Sequence, residues 1–325
     1  MPEPKSAANK AGQMGSRTFS WGSLNDLSEE ALSGLTDSPA RSWKTKFREK
    51  LDNSNVPYVD SHCHIDFLYK RINYRGSWMK FQMMYADTFM HNYYACVTNF
   101  CDPNSFRDNG MWKQILPEDG VYGSFGCHPK SATDYTDEKE EFLKHIIHHS
   151  KVVSLGEIGL DYSRGFDEHR ECQKEVFVRQ LKIAVQNKMP LVIHCREAEE
   201  DCLSLMMEHV PQDHLIHRHC FTGHWYELEP WLAYFSKCYV GLTPLVTFRS
   251  AECVHDVARR LPLERLLLET DAPYFRPPYV DKDDMNYSTP GMAICVAHEV
   301  ARLRGIPMDD VLLKARSNTL AMYGV

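Results

Sequence analysis

Residues 172–209 read CQKEVFVRQLKIAVQNKMPLVIHCREAEEDCLSLMMEH, and this stretch decides the fold class. It opens on a helical pattern from Cys172 to Asn187 and passes through a short, strongly apolar run from Pro190 to Ile193. It closes on a second helical pattern from Glu197 to His209. The apolar run is strand-sized and β-rich, and long helical patterns flank it. Such a helix–strand–helix unit is the building block of an alternating α/β protein.

The same unit recurs on either side. Strand-like runs lie at Tyr58-Val59-Asp60, Ala95 to Phe100, Val121 to Gly126, Val152 to Gly156, Leu191 to Ile193, His214 to His219, Tyr239 to Thr243 and Arg265 to Glu269. Further helical patterns cover Ala251 to Arg260, Met292 to Arg304 and Met308 to Leu320. Eight strands alternating with helices, each reading as buried on both faces, predict an α/β fold, a parallel (β/α)8 TIM barrel. A doubly wound open sheet is the alternative. It explains the strand count less well, and no GxGxxG follows the first strand. No internal sequence repeat stands out.

The chain's 325 residues suffice for one such barrel, which typically needs about 250. With 43% apolar and 25% charged residues, the composition is that of a soluble globular protein. The net charge of -7 argues against a broadly basic nucleic-acid coat. It says little about a local cleft, where a divalent pair would add about +4. Met1 to Lys5 has no apolar segment behind it, and no apolar run approaches the roughly 20 residues of a membrane span. The expectation is a soluble, intracellular protein of nucleus or cytoplasm, without a membrane partner. The 11 cysteines contain no CxxC pair and read as reduced thiols. Residues 1–52, rich in Ser, Gly, Ala, Lys and Asp, read as a flexible tail with short helical patches at Leu24 to Leu35 and Trp43 to Leu51. The barrel is expected over residues 53–325.

In a (β/α)8 enzyme the site lies at the C-terminal ends of the strands. Those ends carry His62, His64, Asn99, His128, Glu157, His194, His219 and Asp271. His62 and His64 are two apart on an extended segment, so both project to one face and can approach one ion. Alone the pair reads more simply as ordinary buried histidines, and the other strand ends give it weight. Glu157, between Gly156 and Gly159, can bridge two cations through its two oxygens, while Asp161 is a helix cap or a partner that orients a ligand. The glycines here are expected to let the backbone approach a ligand. Arg196 shares a face with His194 and suits a phosphate or another anion. His219 is nearer the rim than His217 and is the chosen ligand. Asp271 can hold a metal and accept a proton from water. Glu269, lower on the same face, orients a neighbouring His. Cys63, Cys127, Cys195 and Cys220 sit beside histidines. Strand alternation turns them outward against helices in preference to a ligand role.

Taken together, Asp60-Ser61-His62-Cys63-His64, Gly126-Cys127-His128-Pro129, Gly156 to Asp161, His194-Cys195-Arg196, His219 to Gly223 and Glu269 to Tyr274 resemble the TatD family of metal-dependent deoxyribonucleases, within the amidohydrolase-like barrels. The resemblance runs in order over residues 56–325, takes in the helix Gln173 to Ala184 and Asn318-Thr319, and is nearest to the long animal members. It implies a two-metal site. His62, His64, Glu157 and Asp271 would hold one ion; Glu157, His194 and His219 would hold the other. His128 would be a polar residue near the scissile phosphate. Lys130 stands where many members have a second His and would add a cation for phosphate. Catalysis would rest on Asp271 as general base together with Glu157 and His128.

The implied activity is hydrolysis of phosphodiester bonds in nucleic acid, as an exonuclease on single-stranded DNA ends, with RNA open. Mg²⁺ is the implied ion for activity, with Zn²⁺ or Mn²⁺ as alternatives. A rival is an amidohydrolase-type reaction on an amide, lactone or nucleobase. Several such enzymes bridge their metals with a carboxylated Lys on the fourth strand. Here Glu157 occupies that place, and Lys151 lies at the strand's other end. The segment Leu68 to Tyr94, with Lys70, Arg71, Arg75, Lys80, Trp78 and Phe81, would either stack and steer single strands or pack as a helix on the barrel.

Overall fold

The computed structural model describes Leu51 and residues 54–325 apart from Asp108. The tail and its helical patches, Leu51 excepted, lie outside the described residues.

Eight parallel strands form one sheet in sequential order, β1 to β8. They are Tyr58–Cys63, Tyr93–Phe100, Val121–Phe125, Val152–Asp161, Leu191–Arg196, Ile216–Arg218, Cys238–Leu242 and Leu266–Leu268. Each is followed by helix. Ile65–Arg71 (α1) and Trp78–Met84 (α2) follow β1, and Trp112–Ile115 (α3), Asp137–Ile146 (α4), Arg170–Asn187 (α5), Glu199–His209 (α6), Trp225–Tyr234 (α7) and Glu252–Arg260 (α8) follow β2 to β7. Ile294–Arg304 (α9) and Met308–Tyr323 (α10) follow β8. This is the (β/α)8 barrel that the strand count predicts.

The β8-to-β1 seam is closed by backbone and one buried carboxylate. Asp271 N–H donates to His62 O at 2.9 Å and His64 N–H to Ala272 O at 2.7 Å. Fully buried Asp60 accepts from Thr270 N–H at 2.9 Å and from its hydroxyl at 2.5 Å. The seam holds the first pair of rim histidines against the segment that carries Asp271.

α5 shows how the outer layer forms. It buries Val176, Phe177, Gln180, Leu181 and Ala184, a stripe at helical spacing, against the sheet. It ends at Lys188, which adopts the left-handed conformation, and the chain enters β5, where Leu191, Val192 and Ile193 are fully buried. A second, inner cluster of Val59, Ala95, Val97, Val192, Leu267, Met322, Tyr323 and Val325 brings the C-terminal residues against strand side chains.

Two local readings change. The fourth strand runs on to Asp161, and its register against β5 shifts between Leu155 and Ile158, so Glu157 sits at an irregularity inside the strand and not at its end. Gly159, at φ +144°, brings its backbone against the main chain of His194, where a Cβ would collide with the carbonyl oxygen. That glycine therefore serves strand-to-strand approach. Of the two roles open to the segment after β1, the structure shows the packed helix. Trp78 and Phe81 are buried and stack at 5.3 Å, while Met79, Met83 and Met84 face outward. Among the described residues no helix is long and apolar enough to cross a membrane.

Candidate metal centre

At the strand C-termini, histidines and carboxylates from β1, β4, β5, the end of β6 and the segment after β8 converge. His62 Nε2 and His64 Nε2 lie 3.2 Å apart. Asp271 Oδ1 is 3.6 Å from the first and 3.1 Å from the second. Glu157 Oε2 is 3.6 Å and 3.5 Å from the same two nitrogens. A tetrahedral shell with bonds of about 2.1 Å has edges of about 3.4 Å. These four atoms are spaced as the corners of such a shell.

Glu157 turns its other oxygen the opposite way. Oε1 lies 2.7 Å from His194 Nδ1, 2.8 Å from His219 Nε2 and 3.5 Å from His128 Nε2. His194 Nδ1 and His219 Nε2 are 3.2 Å apart. One carboxylate thus faces two sets of imidazole nitrogens. Nδ1 of His62 and Nδ1 of His219 are buried without a hydrogen-bond partner. The donor set of imidazole and carboxylate suits a divalent cation.

The charges agree with that fit. Burial would raise Glu157, but the imidazoles of His219 and His128 bring its carboxyl well below the usual range. Burial pushes His62 down to about 4 and His219 to about 3. Burial also pulls on His194, but hydrogen bonds to Asp161 and Glu157 outweigh it and raise the ring to about 9. His64 is likewise raised against burial. Cys101, itself pushed up to about 12 by burial, is a neutral thiol beside it, so the anion responsible is Asp271.

A second ring of contacts holds these groups. Asp161 Oδ2 accepts from His194 Nε2 at 3.0 Å and lies 3.4 Å from Lys130 Nζ. Lys130 also covers the Phe166 ring at 4.6 Å. Arg196, partly buried, is the register partner of Asp161 across β4 and β5. The site is closed on the His62 side and opens on the other, where the side chains of His128, His194 and Lys130 are 17%, 18% and 30% exposed.

Several contributors carry no sequence signal of their own. In α5, Gln173 grips Asp161 through both its N–H (2.8 Å) and its carbonyl (2.9 Å). Gln180, two turns on, does the same for Cys127 at 2.6 and 3.2 Å, just before His128. Two buried glutamines seven apart on an apolar helix face are the signal that could have found them. Cys101 Sγ lies 3.8 Å from His64 Nδ1, a contact between strands that no spacing reveals. Cys63 and Cys127 pack in the outer core. Cys195 Sγ lies 3.3 Å from Glu199 Oε2, on the helix side of β5. Lys151 bonds to the carbonyls of Pro117 and Glu118, at the far end of β4.

The family profile described as TatD related DNase matches residues 59–324. The chain belongs to the TatD-related DNase family. A human protein named 3'-5' RNA nuclease TATDN2 is 43% identical over 268 residues, which cover 82% of this chain and 35% of the human protein. The chain therefore spans about a third of that relative's length. A Bacillus subtilis protein named as an uncharacterized metal-dependent hydrolase, YabD, is 31% identical over 70% of this chain and 86% of its own. The crystal structure of YJJV, a TatD homolog from Escherichia coli, superposes with a TM-score of 0.69 at 24% identity, covering 84% of this chain and all of that one. Like those relatives, this TatD-family barrel presents its polar residues at the strand C-termini.

Proposed function

We propose that this TatD-family barrel is a metal-dependent nuclease that hydrolyses phosphodiester bonds with two divalent cations. The observation that carries the reading is Glu157, whose two oxygens face separate sets of imidazole nitrogens. His62, His64, Asp271 and Glu157 Oε2 would hold one cation, and His194, His219 and Glu157 Oε1 the other. Bound there, a divalent pair supplies Lewis acidity, an activated water and charge neutralisation for the transferring phosphoryl group.

The chain's own residues do the rest. Asp271 accepts the proton of the attacking water. His128, Arg196 and Lys130 lie toward the open side and neutralise the phosphate. Two buried glutamines fix the backbone on which His128 and Asp161 stand. Mg²⁺ is the proposed ion for activity, with Zn²⁺ or Mn²⁺ able to take the same donors. Single-stranded DNA ends are the proposed substrate, in keeping with the family's description, and RNA, named for the human relative, is the second. All of this machinery belongs to residues 53–325, and the tail over 1–52 supplies none of it.

A digestion panel tests the reading. The full chain is given single-stranded DNA, duplex DNA, RNA, a phosphotriester and a lactone, with and without a chelator. Cation-dependent cleavage of a nucleic acid supports the proposal. Turnover of the lactone or triester alone would overturn it.

A further inference from the structure

The floor of the site carries three buried polar atoms without a hydrogen-bond partner: His62 Nδ1, His217 Nε2 and Glu269 Oε2. The three residues each bring one donor atom within 4.8 Å of the others. Nε2 of His62 is engaged on the opposite side by His64, Glu157 and Asp271. The nitrogen it turns to the floor is therefore Nδ1. His217 Nε2 lies 2.8 Å from Glu269 Oε2, and the two side chains are fully buried.

This floor is tied to the C-terminal helix. The hydroxyl of Tyr323, near the end of α10, lies 2.6 Å from Nδ1 of His217. Cys220 N–H donates to Glu269 Oε1. Gly241 makes the room, since a Cβ there would collide with Glu269 Oε2 and His217 Nε2.

We propose that Tyr323, His217 and Glu269 are positioning residues that fix the tautomer of His62. The proton assignment follows from the donor inventory. Tyr323 O–H donates to His217 Nδ1, so the proton of His217 sits on Nε2 and faces Glu269. The same carboxylate receives the Nδ1–H of His62. The Nε2 lone pair of His62 is then left pointing at Glu157 and Asp271, where a cation would be held. Carboxylates commonly orient metal-ligating histidines in this way. The new element is the tyrosine at the chain's end, which reaches the ligand through two buried groups.

The inference rests on reading His62 as a cation ligand, and its test separates the two. The metal-free full chain is titrated with Zn²⁺ or Mn²⁺, and histidine ¹⁵N shifts are recorded on the metal-free protein. Glu269→Gln should weaken the first cation by about 10- to 100-fold and shift His62 from an Nδ1–H signature to a mixture of tautomers. Tyr323→Phe, which keeps the ring and its packing, should give the same change of signature with a smaller, few-fold loss of affinity. His62→Ala should abolish the first cation. If His62→Ala binds both cations normally, the ligand reading fails. If it loses one while both other variants keep wild-type affinity and the Nδ1–H signature, the relay is overturned. A third bound cation in the wild type that Glu269→Gln removes would also overturn it, because the floor would then be an ion site.

Discussion

The Oδ2 atom of Asp161 lies 3.0 Å from Nε2 of His194, so the ring's other nitrogen, Nδ1, is left facing Glu157 at 2.7 Å. One imidazole is held between two carboxylates. Only one of them is shared with the rest of the donor set.

Asp161→Asn should therefore act through His194. The amide keeps the side chain's size and loses the charge that anchors Nε2–H. The expected result is a loss of about 10- to 100-fold in affinity for the second cation, with the first unchanged. Stepwise metal titration followed by calorimetry checks it. Equal weakening of both cations would show that Asp161 serves the whole rim.

The same geometry sets a pH dependence. His194 is raised from 6.5 to about 9, so it is protonated near pH 7.5 in the metal-free protein. A cation at Nδ1 must displace that proton. Second-cation affinity should climb about tenfold per pH unit between pH 7 and about 9, with roughly one proton released. In the metal-free protein the sign for stability is opposite. A raised pKa adds stability that is full below pH 6.5 and fades as pH rises through about 9. Calorimetry in two buffers of different ionisation enthalpy reads the proton directly, and a heat that does not depend on the buffer would refute the assignment.

Much of the architecture was legible in the chain because it is periodic. Alternation of short apolar runs with 3.6-residue patterns located all eight strands, and the rim residues followed from where those runs stop. Other features depend on distances between elements, which periodicity does not encode. The irregularity that puts Glu157 inside a ten-residue strand is one. The approach of Cys101 to His64 is another. Trp78 and Phe81 looked equally suited to stacking on bases and to packing, because a helix of mixed aromatic and basic residues has no face until its neighbours are placed. Gln173 and Gln180 were hidden for the reverse reason: polar residues on a buried face make sense only once the backbone atoms they bind are known.

Arg196→Ala should separate substrate binding from metal binding. Arg196 sits at the open side of the site, beside Asp161, and is not among the atoms that form either donor set. Loss of a charged hydrogen bond to phosphate is worth about 1.5–3 kcal/mol, which is a fall of about 10- to 100-fold in kcat/KM. Metal content, measured by elemental analysis, should stay at the wild-type level. If it falls as well, Arg196 holds the fold of the rim and not the substrate.

Gly241→Ala tests the crowding beneath the site. In β7 the missing side chain leaves space that Glu269 and His217 fill, and an added Cβ would meet both. Neither neighbour can withdraw easily. His217 is held by Tyr323 on its far edge, and Glu269 accepts from the backbone of Cys220. Overpacking of this kind costs about 1–3 kcal/mol. Denaturant unfolding of the metal-free protein should show a lower midpoint with an unchanged slope. A midpoint equal to wild type would mean that β7 can shift outward to absorb the methyl group, and the floor would then be looser than its contacts indicate.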